Sequence, residues 1–335
     1  MSEQGGFPIV RCLAAGAIGA LMLCSVAVGS AVAQTGDYPN RPIRLVVGFA
    51  PGGNTDVVAR LVAATVAKEL GQPIVIENRP GAASQLASEM VARSAPDGYT
   101  LQAGTLTSHV LSIGLYKRLR FDIEKDFTHV ALIARTPVVL GVSNAVNVTD
   151  LAEFTKVLKG PDKLNYASAG SGGIGHLAAV MFNNAVGADA VHVPYKGSSA
   201  ALADLIDGRL HYFMDVPSTL APLAADHKLR ILAVAAEKRD PLLPSVPTFA
   251  EAGIPNLYLY TFNSWFAPAG TPPAIVARIN AAVSKALQDP GLIASLAKVG
   301  NEAAKPMSAA ELDSFLKQER DKWLPVLKAS GITLD

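Results

Sequence analysis

This 335-residue chain contains few cysteines and few aromatic residues, and neither positive nor negative charge is in large excess. Aromatic residues make up only 6%, too few for a surface on which nucleic-acid bases stack. Lysine and arginine number 29, and aspartate and glutamate 28, so the chain lacks the basic excess that binding to nucleic acids or anionic membranes requires. Half of the residues are apolar and 17% are charged, which excludes a disordered chain. The length predicts roughly two domains of about 150 residues.

One long uncharged segment runs from Cys12 to Gly36. It follows Arg11 and contains the A-x-A pattern Ala31-Val32-Ala33, which is typical of a cleavable signal peptide over residues 1–33. The mature chain is therefore expected to start at Gln34 and to contain no cysteine, since both cysteines lie in this segment. The alternative is an uncleaved membrane anchor, because about 20 apolar residues can span a bilayer.

Strand-like and helix-like runs alternate along the rest of the chain, which predicts an α/β fold. Two β-rich runs, Val130–Val142 and Tyr258–Phe266, are long enough to cross between two bodies. The economical interpretation is two lobes joined by two crossover strands. Residues 34–137 and 264–335 are expected to form lobe 1, and residues 138–263 lobe 2.

Two glycine-rich turns each stand between a predicted strand and a predicted helix. Pro51-Gly52-Gly53-Asn54-Thr55-Asp56 precedes a helix predicted over Val57–Leu70, and the segment 169–176 opens a helix predicted over Ile174–Val186. Glycine lets a backbone approach a ligand closely, and a helix N-terminus carries about half a positive charge. Each turn is therefore a candidate anion site without a basic side chain. The alternative is that both are only tight strand-to-helix turns.

The second turn also contains a G-x-G-x-x-G pattern at Gly170, Gly172 and Gly175. A dinucleotide site is disfavoured, because the preceding strand is rather polar and the next strand, Val191–Val193, ends without an acidic residue. The six histidines show no zinc-ligand spacing, and no G-x-S-x-G elbow occurs. The sequence predicts neither a cofactor nor a metal.

Four single residues have two interpretations each. Asp56 either caps the first turn or lies at the site. His176 is interpreted as a packing or capping group rather than a base. Asp215 follows an apolar run and is either a site residue or a turn carboxylate. Trp265 either walls a cleft between the lobes or belongs to the core or hinge.

Nearly all of the chain beyond the predicted signal peptide resembles a known family. The resemblance depends on a series of short segments that occur in the same order. They are Tyr38-Pro39 to Arg41-Pro42-Ile43, Phe49-Ala50-Pro51-Gly52-Gly53 with Asp56, Glu77-Asn78-Arg79-Pro80-Gly81-Ala82, Ala95-Pro96-Asp97-Gly98-Tyr99-Thr100-Leu101, Leu164-Asn165-Tyr166-Ala167-Ser168-Ala169-Gly170 with His176-Leu177, His192-Val193-Pro194-Tyr195-Lys196-Gly197, and Leu243-Pro244 to Val246-Pro247-Thr248. The chain resembles the Bug-type extracytoplasmic solute receptors of Gram-negative bacteria, the binding-protein component of tripartite tricarboxylate transporters.

The resemblance implies a two-lobe fold like that of type II periplasmic binding proteins, with the crossover strands as the hinge. It also implies that backbone amides and ordered waters hold a ligand carboxylate between the two glycine turns. The ligand-binding residues implied in this way are Ala50, Pro51, Gly52, Gly53 and Asp56 in lobe 1, Ala169, Gly170, Ser171, Gly172 and Gly173 in lobe 2, Thr105 and Ser108 after the Tyr99 strand, and Asp215. The chain departs from the family pattern at Ala50, Gly173, Gln85-Leu86-Ala87, Leu106 and just after Asp215, which bears on ligand identity rather than ligand class.

These features predict a periplasmic, monomeric receptor that captures a small organic carboxylate by hinge closure and presents it to membrane permease subunits. No enzymatic activity, cofactor or nucleic-acid partner is expected. Two alternatives stay open. One is a secreted hydrolase that uses Ser171 or Ser108 with His176 or His109. The other is an adaptor that reports ligand binding to a membrane signalling kinase.

Overall fold

A computed structural model of the protein describes residues 38–334. The predicted signal peptide lies outside the described residues. The described chain forms two β-sheets with helices packed against them. The predicted α/β class with two sheets is therefore confirmed.

The first sheet has six strands and a mixed topology. Its strands in spatial order are Glu302–Ala303 (β11), Phe127–Pro137 (β4), Tyr260–Pro268 (β10), Thr100–Thr105 (β3), Ile43–Val47 (β1) and Ile74–Asn78 (β2). Strand β1 pairs in parallel with β2 and β3, whereas β10 is antiparallel to β3 and β4. Four of the five β1 residues are buried, as expected for a parallel strand covered on both faces.

The second sheet has five strands. In spatial order they are Val191–Pro194 (β7), Asn165–Ser168 (β6), Tyr212–Asp215 (β8), Val139–Ser143 (β5) and Leu229–Val234 (β9). Strand β6 is parallel to β7 and β8, and β5 is antiparallel to β8 and β9. The carboxyl ends of β6, β7 and β8 consequently lie at one edge of the sheet.

The helices follow the alternation seen in the sequence. They are Asn54–Leu70 (α1), Gln85–Ala92 (α2), Ser112–Leu115 (α3), Leu151–Leu158 (α4), Ile174–Val186 (α5), Ser198–Ile206 (α6), Pro217–Ala225 (α7), Pro273–Ala286 (α8), Pro290–Lys298 (α9) and Ala309–Ser330 (α10). Helix α1 begins at Asn54, three residues before the predicted start, because Gly53 has the extended conformation of an N-cap. Within residues 38–334, no helix combines the length and the apolar character of a membrane span.

The chain changes sheet at two places that lie side by side. Strand β4 ends at Pro137 in the first sheet and β5 begins at Val139 in the second, so the run Val130–Val142 does cross between sheets. At the crossing, the Val138 N–H donates to the Leu259 carbonyl at 2.9 Å, and Leu259 directly precedes β10. The division into the two lobes proposed from the sequence stays a prediction.

One hydrophobic core cluster is shared by the two sheets. It contains Val46 and Phe266 from the first sheet together with Leu140 and Met214 from the second. Trp265 belongs to a separate cluster, together with residues of α1 and α8, and is 1% exposed. Trp265 is therefore a core residue of the first sheet and does not wall a cleft.

Candidate functional site

The first glycine turn follows β1 and opens helix α1. Gly52 has φ +81°, which suits glycine, and Gly53 is the extended N-cap. The Gly52 N–H donates to Asp56 Oδ2 at 2.9 Å, and the Gly53 N–H donates to the Ala50 carbonyl at 3.4 Å. Ala50, Pro51 and Gly52 are exposed, so the turn lies at the protein surface.

The second glycine turn repeats this backbone arrangement at the start of α5. Gly172 has φ +74° and Gly173 is the extended N-cap. The Gly172 N–H donates to His176 Nδ1 at 3.0 Å, and the Gly173 N–H donates to the Gly170 carbonyl at 3.2 Å. His176 thus occupies the position that Asp56 has in the first turn. The two strand-to-helix junctions are the same structural device, once in each sheet.

The hydrogen bonds show which backbone N–H groups have no acceptor within the protein and are free to donate to a ligand. All five glycine N–H groups of the turns already donate a hydrogen bond, either within their own turn or, for Gly170, to Ser168 just before the second turn. They are the N–H groups of Gly52, Gly53, Gly170, Gly172 and Gly173. The amides that follow, in the first turns of α1 and α5, have no intrahelical acceptor because four N–H groups at a helix start lack one. Within the described chain, four N–H groups at these helix starts donate no hydrogen bond, namely those of Thr55 and Asp56 in α1 and of Ile174 and Gly175 in α5. Sequence reasoning favoured the glycine amides, whereas the structure leaves these helical amides available.

Asp56 is committed to the first turn. Its carboxylate accepts hydrogen bonds from the Gly52 N–H, from Arg60 Nε at 3.0 Å and from Asn78 Nδ2 at 2.9 Å. Burial raises the pKa of Asp56, but the hydrogen bonds from Arg60, Gly52 and Asn78 outweigh it and hold the pKa below its usual value. The capping interpretation of Asp56 is the one that its hydrogen bonds support.

His176 is a neutral capping group. Burial, and after it the charge of His192, lowers the pKa of His176 to about 4. The two imidazole rings are stacked with their centroids 3.7 Å apart, and His192 Nε2 lies 2.7 Å from Ser168 Oγ. Because Asp56 is paired with Arg60 and His176 is neutral, neither turn carries a net side-chain charge. Attraction of an anion to these turns depends on amides and helix dipoles.

Thr105 and Ser108 are buried at the end of β3 and bond to each other. The Thr105 N–H donates to Ser108 Oγ at 2.9 Å, and the Ser108 N–H donates to Thr105 Oγ1 at 3.3 Å. Ser108 Oγ also lies 2.9 Å from His109 Nδ1, a serine–histidine pair of the kind a hydrolase uses. Both residues of that pair are at most 1% exposed, and burial holds the pKa of His109 well below its usual value.

Asp215 lies at the carboxyl end of β8 and is 7% exposed. Its Oδ1 accepts the Val216 N–H at 2.9 Å, whereas its Oδ2 has no hydrogen-bond partner. Burial raises the pKa of Asp215, although the Ser198 hydroxyl, the Val216 amide and the Thr219 hydroxyl act in the opposite direction. It pairs across the sheet with Val139, the first residue of β5 after the crossing.

The start of α1 contacts the second-sheet half of the molecule. Ser218 Oγ, in the first turn of α7, donates to Asn54 Oδ1 at 3.1 Å. Asn301 Nδ2 also donates to Asn54 Oδ1 at 2.8 Å, and the Thr136 hydroxyl bonds to Asn301 Oδ1. Sequence reasoning assigned neither Ser218 nor Asn301 to the site, although Ser218 lies in the segment after Asp215 that departs from the family pattern. The two residues lie 164 and 247 residues from Asn54.

The second turn contacts the first-sheet half. A Cβ atom placed on Gly172 would lie 2.8 Å from Leu115 Cδ1 and 3.0 Å from Leu334 Cδ1. Leu115 ends α3, and the Leu334 N–H donates to its carbonyl oxygen. Each turn therefore lies where its half of the molecule meets the other half.

Cavities and metal-ligand clusters do not add a competing site at the turns. Two surface cavities of about 680 and 670 Å³ are lined mainly by α7 and β9 and by β4, α8 and α10 respectively, and neither is lined by the glycine turns. Among residues 38–334, no group of three or more histidine, cysteine, aspartate or glutamate side chains is placed to hold a metal ion.

Comparisons with known proteins agree with this architecture. The sequence profile described as "Tripartite tricarboxylate transporter family receptor" matches residues 58–332. Protein BugT of Bordetella pertussis is 32% identical over 303 residues, which is 89% of this chain and 91% of BugT.

Three solved structures are similar along nearly their whole length. MatC (Rpa3494) from Rhodopseudomonas palustris with bound malate has a TM-score of 0.80 and 38% identity, covering 87% of this chain and 100% of MatC. Rpa4515 of R. palustris with adipate has a TM-score of 0.85 and 36% identity, covering 89% and 100%. The periplasmic binding protein BugD has a TM-score of 0.83 and 28% identity, covering 89% and 100%. The chain therefore belongs to the tripartite tricarboxylate transporter receptor family and is a Bug-type solute-binding receptor.

Proposed function

We propose that this receptor binds a small organic carboxylate between its two glycine turns in the periplasm and presents it to membrane permease subunits. The observation that carries the proposal is the pair of matching turns, each with unpartnered helical amides and each placed at the contact between the two halves. The ligands named for two similar structures, malate and adipate, are both dicarboxylates, which supports this ligand class.

The energetics of amide binding are sufficient. Micromolar affinity corresponds to about 8 kcal/mol. A hydrogen bond to a charged group is worth roughly 1.5–3 kcal/mol, so four such bonds and some apolar burial reach this value after ordering costs. Two amides from α1 and two from α5 supply that number without a basic side chain.

The proposed site extends the two turns by the residues around them. Its members are Ala50, Pro51, Gly52, Gly53 and Asp56 from the first turn, Ala169, Gly170, Ser171, Gly172 and Gly173 from the second, and Thr105, Ser108 and Asp215. Asp56 supports the first turn through its bond from the Gly52 N–H, whereas Thr105 and Ser108 bond to each other at the end of β3. The two lobes, with residues 34–137 and 264–335 in one and 138–263 in the other, close by rotation near Val138 and Leu259, where the two crossings are hydrogen-bonded.

The protein acts as a monomer that is exported by a cleavable signal peptide and performs no chemistry. The serine–histidine pair Ser108–His109 supports this view, because Ser108 Oγ accepts the Thr105 N–H and the His109 ring stacks on Phe266 in the core. In the second turn, His176 Nδ1 accepts the Gly172 N–H, so this nitrogen is not available as a base for Ser171.

A thermal-shift screen against a library of mono-, di- and tricarboxylates tests the proposal. A carboxylate at 100 times its dissociation constant should stabilise the protein by about 2.7 kcal/mol. Absence of a shift with every carboxylate would contradict the proposed function.

Proline substitutions at the first helical position test the assigned amides. Proline is tolerated there but has no N–H. Ile174→Pro removes one amide from the start of α5, and binding of any carboxylate found in the screen should weaken by about tenfold or more. Ala309→Pro makes the same change at the start of α10, an exposed position outside the proposed site, and should leave affinity unchanged. Equal effects of the two variants would show that the α5 amides do not bind the ligand.

A further inference from the structure

Asp215 has an acceptor atom that nothing in the described chain satisfies. The residue is 7% exposed, and its Oδ2 is buried without a hydrogen-bond partner. Most buried polar atoms in native proteins are hydrogen-bonded, so each exception calls for a physical explanation. A carboxylate oxygen left in this state costs free energy, because it has lost water and gained no donor.

The position of Asp215 places this oxygen close to the proposed binding site. Strands β6 and β8 are parallel neighbours, so Asp215 at the end of β8 lies at the same sheet edge as the second turn after β6. The hydroxyls of Ser198 and Thr219, in the first turns of α6 and α7, lie close enough to lower the pKa of Asp215, although neither makes a hydrogen bond to Oδ2. Ser218, next to Thr219, bonds across to Asn54 at the start of α1.

The bond to the next backbone amide explains only half of the carboxylate. Oδ1 accepts the Val216 N–H just before α7, and this bond is not a side-chain cap of the helix. An asparagine would accept this bond as well, since its side-chain oxygen is also an acceptor. The ionisable and unpartnered Oδ2 takes no part in that bond, and within the described chain no ion pair joins it to a basic side chain.

We propose that Asp215 makes the receptor selective for carboxylates that also carry a hydrogen-bond donor, either a hydroxyl or an ammonium group. This inference rests on the proposed function. The ligand carboxylate is held by the amides of α1 and α5, and its donor group reaches Asp215 Oδ2. A hydroxyl and an ammonium group share the required chemistry, and the ammonium adds a charge attraction to the carboxylate. A ligand without a donor leaves Oδ2 buried and unpartnered in the closed protein.

Titration calorimetry with matched ligand series tests this selectivity. The probes are succinate, malate and aspartate, then glutarate, 2-hydroxyglutarate and glutamate, then adipate, 2-hydroxyadipate and 2-aminoadipate. Within the series whose length fits the site, a donor-bearing member should bind the native protein at least about tenfold more tightly than the unsubstituted diacid. Comparison of the hydroxyl and ammonium members identifies which donor is selected.

The variant Asp215→Asn separates selectivity from structure. Asparagine keeps an oxygen for the Val216 N–H and replaces the Oδ2 acceptor by an NH₂ donor. The tenfold preference for the donor-bearing member should be lost. Asp289→Asn makes the same substitution at the N-cap of α9, outside the proposed site, and should leave the preference unchanged.

The outcomes distinguish this proposal from the proposed function. If a diacid binds and the native protein shows no preference for a donor, the selectivity is refuted and the receptor function stands. If Asp215→Asn weakens all members equally, Asp215 is only a structural residue. If no carboxylate in the three series or in the wider library binds, both proposals fail. The native preference is measured without the variant, so it decides even if the variant does not fold.

Discussion

Replacing Gly52 and Gly172 by alanine, one at a time, compares two turns with matching backbones and different surroundings. Gly52 has φ +81° and Gly172 has φ +74°, so both substitutions place a Cβ atom in a left-handed conformation. That conformation costs a non-glycine residue about 1–2 kcal/mol, partly offset by the lower entropy of the unfolded alanine chain. Each variant should therefore lose about 1 kcal/mol of unfolding free energy from the backbone alone.

The contacts around the added methyl group differ between the two positions. No atom lies within 4 Å of a Cβ placed on Gly52. A Cβ placed on Gly172 lies 2.8 and 2.9 Å from the two Cδ atoms of Leu115 and 3.0 Å from Leu334 Cδ1. Overpacking of this kind costs typically about 1–3 kcal/mol. Gly172→Ala should therefore be the more destabilising substitution by about 1–3 kcal/mol.

Urea unfolding followed by the fluorescence of the buried Trp265 and Trp323 measures the difference. The double variant Gly172→Ala with Leu334→Ala should recover about 1 kcal/mol, because the shortened side chain removes one of the close contacts. The same Leu334→Ala change combined with Gly52→Ala should show no coupling. Equal losses for the two glycine variants, or no rescue, would refute the packing of the second turn against Leu115 and Leu334.

Three further predictions concern charge and backbone strain. His176 stays neutral in the folded protein, with its pKa lowered to about 4, so stability should fall as the pH drops from about 6.5 to about 4, by up to about 3 kcal/mol from this group. His176→Gln should reduce that fall in urea-unfolding profiles, and an unchanged profile would contradict it. Asp56→Asn removes the ion pair with Arg60 and should destabilise by about 1–2 kcal/mol at pH 7. Because the pKa of Asp56 lies below its usual value, this deficit should shrink as the pH falls below about 4, and a constant deficit would exclude the ion pair as its cause. Ala83 has φ +51°, so Ala83→Gly should raise the free energy of unfolding of the protein by about 0.5 kcal/mol, whereas a decrease would argue against backbone strain at this position.

Local patterns determined the architecture of this protein. The alternation of strand-like and helix-like runs predicted an α/β fold, and the residues Ile174–Val186 form the predicted helix α5. The run Val130–Val142 crosses between the sheets as expected. The positions of the two glycine turns, each between a strand and a helix, were also apparent from the sequence. Such features depend on residues close together in the chain, whose conformational preferences are set by neighbours.

Tertiary packing decided which polar atoms have hydrogen-bond partners within the protein and which do not. The glycine N–H groups already have acceptors inside the turns. Asp56 caps the first turn, because Arg60 and Asn78 donate hydrogen bonds to its carboxylate in the folded structure. Trp265 is in a core because α8 covers its face of the sheet. The burial of Asp215 Oδ2 and the link from Asn54 to Ser218 depend on segments far apart in the chain. Hydrogen-bond partners and desolvation are properties of the packed molecule, so no local pattern contains them.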